Sequence, residues 1–304
     1  MTKLRGAVTA LITPFRDGGI NGAVYEADVV RQIEGGIDGI VACGTTAETP
    51  TLTVEERHWL IRSAVVCADG RVPVIAGTGS NSTAETIEAT RMAKKLGADA
   101  ALVVTPYYNR PSQEGLYRHF EAVAARADMP VILYNVPSRT GVDLTPATVS
   151  RLSRLEGIVG IKDAAADALR CRTLRDSTPE GFGIYTGDDG STLPVLLSGG
   201  DGAISVISNA FPSEWSALCH HAIDRDIDAA SLLAARFAPL VGALALETNP
   251  CPIKYLMSLV CNSHSTEVRL PLVRICAATA ARIRKALDAV MSALEVEGSA
   301  RAAM

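Results

Sequence analysis

The chain has 304 residues, which allows two ordinary domains or one large α/β barrel with an extension. A composition of 48% hydrophobic and 20% charged residues excludes a disordered chain. The 29 basic and 33 acidic residues leave a formal charge of −4 with no long run of one sign, which argues against nucleic-acid and acidic-membrane partners and for a small molecule.

In chain order, β-branched apolar runs begin at Gly6, Gly39, Val72, Ala100, Val131, Ile158, Phe182 and Gly202, spaced 20 to 33 residues apart, each followed by helical periodicity. That spacing holds one strand, one helix and two short loops. Fully apolar strands are covered on both faces, as in a parallel sheet wrapped by helices. Eight such units in residues 1–226 predict an α/β fold, a (β/α)8 TIM barrel. Three strands are entered through one signature, Gly36-Ile37-Asp38-Gly39, Gly97-Ala98-Asp99-Ala100 and Gly199-Gly200-Asp201-Gly202, read as left-handed glycine closures of the preceding helices. Residues 227–304 are helical in pattern, with a break at Asn249-Pro250-Cys251-Pro252, and predict a C-terminal all-helical domain packed on the barrel. The longest apolar run, Phe237 to Leu246, is ten residues with Pro239 inside it, against about 20 for a membrane span. Seven scattered cysteines without a CxxC pair fit a reducing cytoplasm.

Catalytic groups of such barrels stand at the C-terminal ends of strands. Lys162 closes the apolar run Ile158-Val159-Gly160-Ile161 and is one of six lysines among the 29 basic residues. Desolvation there favours a neutral amine able to attack a carbonyl and form a Schiff base; the plainer alternative is a lysine that snorkels from a strand end or pairs with Asp163. Tyr134, on the neighbouring strand, suits a proton relay or a core aromatic. Gly44-Thr45-Thr46 offers an anion cradle or an ordinary helix-capping loop. Arg139 can hold a carboxylate bidentately or lie solvated. Cys43 reads as a structural thiol. No phosphate loop, dinucleotide fingerprint or metal-ligand spacing is present, so neither a cofactor nor a catalytic metal is expected.

The segments GTTAETPTL (from Gly44), YYNRPSQEGLYRHF (Tyr107), YNVPSRTG (Tyr134), GIKDA (Gly160), TGDD (Thr186), GAISV (Gly202) and ETNPCPIK (Glu247) resemble, collinearly over nearly the whole chain, the dihydrodipicolinate synthase family. The resemblance implies a lyase that condenses pyruvate with L-aspartate 4-semialdehyde on the route to diaminopimelate and lysine. It further implies a cytoplasmic homotetramer built of dimers. Lys162 would form the pyruvate Schiff base and Tyr134 would move protons. Thr45 would link Tyr134 to Tyr108 of a neighbouring subunit. Thr46 would bind the pyruvate carboxylate and Arg139 that of the semialdehyde, with Gly187 and Ile204 lining the pocket through backbone. An allosteric lysine site would retain Asn81, Glu85 and Tyr107, while Val54 and Arg57 replace its usual histidines. Ala47 stands where the family usually has glycine, a narrowing change if that residue needs positive φ. Two other readings share these residues: a sister Schiff-base aldolase or hydratase-aldolase acting on another aldehyde, and a non-catalytic barrel that binds a small anion.

Overall fold

The computed structural model describes residues 4–302. Eight parallel strands close into a barrel: Gly6–Ala10 (β1), Gly39–Ala42 (β2), Val74–Gly77 (β3), Ala100–Val104 (β4), Val131–Asn135 (β5), Ile158–Asp163 (β6), Gly183–Thr186 (β7) and Gly202–Ser205 (β8). They run in sequence order around the barrel, and β1 pairs with both β2 and β8. A helix follows every strand, from Gly22–Glu34 to Pro212–Ile223. Residues alternate between two apolar environments, as the period of two requires. Val131 and Leu133 face the helices, whereas Ile132 and Tyr134 join Val8, Ile75 and Ile204 inside the barrel.

The three glycine-aspartate signatures do more than close helices. Gly36, Gly97 and Gly199 are left-handed, with φ of 77°, 95° and 100°. Each following aspartate then clamps the start of the preceding strand at two points. Asp38 accepts from Ala7 N at 2.8 Å, Asp99 from Val74 N at 2.8 Å and Asp201 from Ile184 N at 2.9 Å. Their own N–H groups donate to the carbonyls of those same residues. The edge groups that open each strand are thereby satisfied.

One irregularity falls beside Lys162. β5 and β6 pair Val131 with Ile158 but Ile132 with Gly160, so Val159 is an extra, bulged residue. Beyond the bulge Tyr134 stands opposite Lys162, and both point inward. Gly160 is required at this point: a Cβ there would lie 2.7 Å from Gly183 O and 3.1 Å from the Tyr185 ring.

One feature was not legible in the sequence. Phe15–Arg16 and Gly19–Ile20 form a small antiparallel hairpin around Asp17 and Gly18, whose φ values of 53° and 80° make a primed turn. The helix Ile227–Leu244 opens the helical region expected from residue 227 and runs on through Pro239. Pro239 and Ala235, whose carbonyl the missing N–H leaves free, both face solvent, where water can satisfy that oxygen. At 18 residues this helix is apolar and long enough, by length and composition alone, to cross a membrane. In this molecule its Phe237 stacks edge-on against Phe211 (5.1 Å) and Trp215 (6.1 Å). One apolar cluster thus spans the outer barrel and the helices Ile227–Leu244, Cys251–Val260 and Ala277–Ala302.

Gly160→Ala is expected to lower stability by about 1–3 kcal/mol, because its Cβ meets a backbone carbonyl that cannot swing aside. Urea unfolding followed by the fluorescence of Trp59 and Trp215 measures it, and an unchanged midpoint would show that the bulge has room to spare.

Candidate active site

Lys162 is 5% and Tyr134 6% exposed, and the lysine Nζ lies 4.5 Å from the centroid of the tyrosine ring. The pairing of Lys162 with Asp163 that the sequence allowed does not occur. Asp163 faces outward and binds Arg170 at 2.6 Å, and among the described residues no side chain forms an ion pair or hydrogen bond with the Lys162 nitrogen. The stem of Lys162 lies across Gly187, where a Cβ would come within 2.7 Å of Lys162 Cε. Gly187 N donates to Asp163 O at 2.9 Å, which fixes this close approach. Ile204, on β8, is fully buried among the residues that line the barrel interior.

After β2 the chain enters a single 3-10 turn, Thr45–Ala47, whose first backbone hydrogen bond runs from Ala47 N to Gly44 O at 3.1 Å. The N–H groups of Thr45 and Thr46 precede that bond and are available to an anion. Thr46 is buried, and its hydroxyl oxygen accepts from Asn249 Nδ2 at 3.0 Å, which leaves the Thr46 proton free to be donated elsewhere. Ala47 causes no strain, since the left-handed residues here are Cys43 (φ 56°) and Glu48 (φ 57°).

Glu48 and Lys254 were not singled out for the site by their sequence, and they hold this loop. Glu48 is 1% exposed and accepts from Lys254 Nζ at 2.5 Å, across 206 residues of sequence, and from Arg269 N at 2.9 Å. Lys254 is equally buried, sits 4.1 Å from the Phe15 ring centroid, and burial pulls its ammonium below the usual lysine range against the opposing pull of Glu48. Asn249 lies in the helix break read in the sequence, between Ile227–Leu244 and Cys251–Val260, and there it also joins two predicted site residues: its amide reaches Thr46 and its carbonyl accepts from Arg139 Nη2 at 3.0 Å. The only sequence signal for this was the proximity of Glu247, Asn249 and Lys254 in one motif.

Other candidates stay apart. Tyr108 is 89% exposed, in a left-handed conformation (φ 71°), and no hydrogen bond among the described residues joins its hydroxyl to Thr45 or Tyr134 within one chain. Asn81 and Tyr107 lie in loops and Glu85 in the first turn of the helix Thr83–Lys95, with Glu85 bound to Ser80 Oγ at 2.8 Å and Asn81 O to Asn109 Nδ2 at 2.9 Å. Cys43 is buried, and burial pushes its thiol up to about 12, the mark of a structural cysteine.

The arrangement offers a buried primary amine beside a phenol, an anion cradle and a guanidinium at the mouth, a set suited to imine chemistry on a small oxo-acid. A family model described as the dihydrodipicolinate synthetase family matches residues 3–290. The chain is 45% identical over 288 residues to a 4-hydroxy-tetrahydrodipicolinate synthase of Nitratidesulfovibrio vulgaris, covering 94% of this chain and 98% of that protein. It superposes on the 4-hydroxy-tetrahydrodipicolinate synthase of Methylacidiphilum fumariolicum with a TM-score of 0.94 at 43% identity, covering 96% and 98% of the two chains. The chloride-inhibited dihydrodipicolinate synthase of Acinetobacter baumannii, complexed with pyruvate, gives 0.92 at 44% identity, with 94% and 99% covered.

Because each partner of the Glu48–Lys254 pair would strand the other in a dry site, Lys254→Met alone is expected to cost about 3–5 kcal/mol, and Glu48→Gln with Lys254→Met to recover part of it. Denaturant melts of the two variants compare these values. Equal losses would mean that the charges contribute through packing alone.

Proposed function

The chain belongs to the dihydrodipicolinate synthetase family, and on that premise we propose that Lys162 and Tyr134 carry the family's condensation of pyruvate with L-aspartate 4-semialdehyde to 4-hydroxy-tetrahydrodipicolinate. The observation that carries this reading is the unpaired, buried Lys162 nitrogen beside the Tyr134 ring. The Lys162 amine attacks the pyruvate carbonyl, Tyr134 delivers a proton to the departing oxygen, and one water leaves as the imine forms. Loss of a methyl proton gives an enamine, whose carbon attacks the semialdehyde carbonyl. The substrate's own amino group then displaces Lys162 from the imine carbon, closing the ring and freeing the enzyme. Thr46, with its oxygen already accepting from Asn249, donates its proton to the pyruvate carboxylate. Arg139, oriented by the Asn249 carbonyl at the mouth, takes the carboxylate of the semialdehyde, while Gly187 and Ile204 bound the pocket.

Assembly belongs to the same proposal. A left-handed tyrosine exposed on a rim is costly to leave in water and suits an interface, so Tyr108 completes the Thr45–Tyr134 relay of a neighbouring subunit in a cytoplasmic homotetramer built of dimers. The retained Asn81, Glu85 and Tyr107 form the remains of a lysine site, with Val54 and Arg57 in place of polar ligands.

Pyruvate with borohydride is expected to label Lys162 irreversibly; peptide mapping that finds Lys254 or Lys94, or no label, would refute the mechanism. Arg139→Ala is expected to keep that labelling while semialdehyde turnover falls by about 100-fold; a coupled assay run beside sugar-derived aldehydes reads this and also separates a sister aldolase. Mixing inactive Tyr108→Phe with inactive Lys162→Ala chains restores activity once subunits exchange, because one site then holds every group. Mixed dimers as inactive as their parents would place Tyr108 outside the relay. Lysine inhibits weakly or not at all, since Arg57 opposes its ammonium, and inhibition at sub-millimolar lysine would contradict that assignment.

A further inference from the structure

Tyr134 and Lys162 face each other inside the barrel, and the next residue of each strand, Asn135 and Asp163, forms the adjacent pair pointing outward. That outer pair is closed into a polar ring. Asn135 Nδ2 donates to Asp143 Oδ1 at 2.8 Å and Asp163 Oδ1 at 3.3 Å, and its Oδ1 accepts from Leu144 N at 3.0 Å. Arg170 completes the ring, with Nε on Asp163 Oδ2 at 2.6 Å, Nη1 on Asp143 Oδ2 at 3.1 Å and Nη2 on Leu144 O at 2.5 Å. Its side chain is 13% exposed and that of Asp163 10%. One planar fork therefore holds β6, through Asp163, to the segment that leaves β5, and no other side-chain type offers three such donors in a fixed plane.

We propose that Arg170 is a positioning residue for the reaction. It touches no substrate; by locking the outer pair it fixes the separation of β5 and β6 at the level of Lys162 and Tyr134, and so the 4.5 Å approach on which proton transfer during imine formation depends. Reactions of preorganised groups are steep in distance, with displacements near 1 Å costing about 100-fold. Arg170→Lys keeps the charge but cannot span three acceptors, and Asp143→Asn loosens the ring from its more exposed side, where Asp143 is 40% exposed. A matched control exists at the opposite end of the barrel. There Arg175 donates to Gly199 O, Phe182 O and Asp201 beneath β7 and β8, so Arg175→Lys keeps the charge but disrupts a comparable three-acceptor fork far from Lys162.

The inference rests on Lys162 and Tyr134 acting as proposed above, and the test separates the two. Rapid-quench borohydride trapping with pyruvate alone reads the rate of imine formation, and steady-state assays read kcat and KM. In Arg170→Lys and Asp143→Asn, imine formation and kcat are expected to fall by about tenfold or more with KM for pyruvate changed less than about threefold, while Arg175→Lys traps at the wild-type rate. If Arg170→Lys does not fold, Asp143→Asn decides alone. Folded ring variants that trap at the wild-type rate, or an Arg175→Lys variant slowed as much as they are, would overturn the positioning role. Absence of label at Lys162 in the wild-type protein would instead remove the mechanism beneath it.

Discussion

One extra residue in β6, Val159, determines which way Lys162 faces. Parallel strands in register point paired residues to the same side. Continued without the bulge from Val131 and Ile158, the pairing would set Lys162 against Asn135, on the helix-covered outer face. The bulge shifts the phase by one, so that Lys162 enters the barrel beside Tyr134 and Asp163 leaves it for Arg170. Two glycines make the shift possible: Gly160 gives way to the β7 backbone and Gly187 to the lysine stem. The nitrogen is thereby buried without a counter-charge, and the counter-charge its neighbour could have supplied is neutralised on the far side of the sheet.

The mouth of the barrel obeys a different logic. The Thr45–Ala47 turn is too short to hold itself, and its support comes from the C-terminal segment through Glu48, Lys254, Arg269 and Asn249. A buried ion pair gives little net stability compared with apolar residues of the same shape, but it tolerates only one geometry, since any misfit leaves a charge without a partner. That intolerance holds the Thr45 and Thr46 N–H groups and the Thr46 hydroxyl in one arrangement. Arg139 is joined to the same assembly through the Asn249 carbonyl, so the two ends of the pocket share a support.

The barrel was legible because its signal is repeated eight times: apolar runs, helical spacers and glycine turns agree with one another, and strand starts were misplaced by two residues at Val72 and one at Phe182 only. Lys162 and Tyr134 stood out as candidates because several polar groups gather at the C-terminal ends of apolar strands, and the structure sets these two opposite each other inside the barrel. The small hairpin escaped because two-residue strands carry no periodicity. The bulge had a signal, the lone Gly160 within a strand, that is equally well explained by close packing. Glu48, Asn249 and Lys254 escaped because their roles depend on contacts across some 200 residues, which no local pattern encodes.

That last separation has a consequence for how the molecule comes into being. Protein synthesis proceeds from the N-terminus at about 5–20 residues per second, so the 206 residues between Glu48 and Lys254 represent about 10 to 40 s of elongation. Throughout that interval the Glu48 carboxylate lacks the Lys254 ammonium that it meets in the finished molecule. The nascent barrel therefore holds this loop without its buried partner until the segment that carries Lys254 has been made.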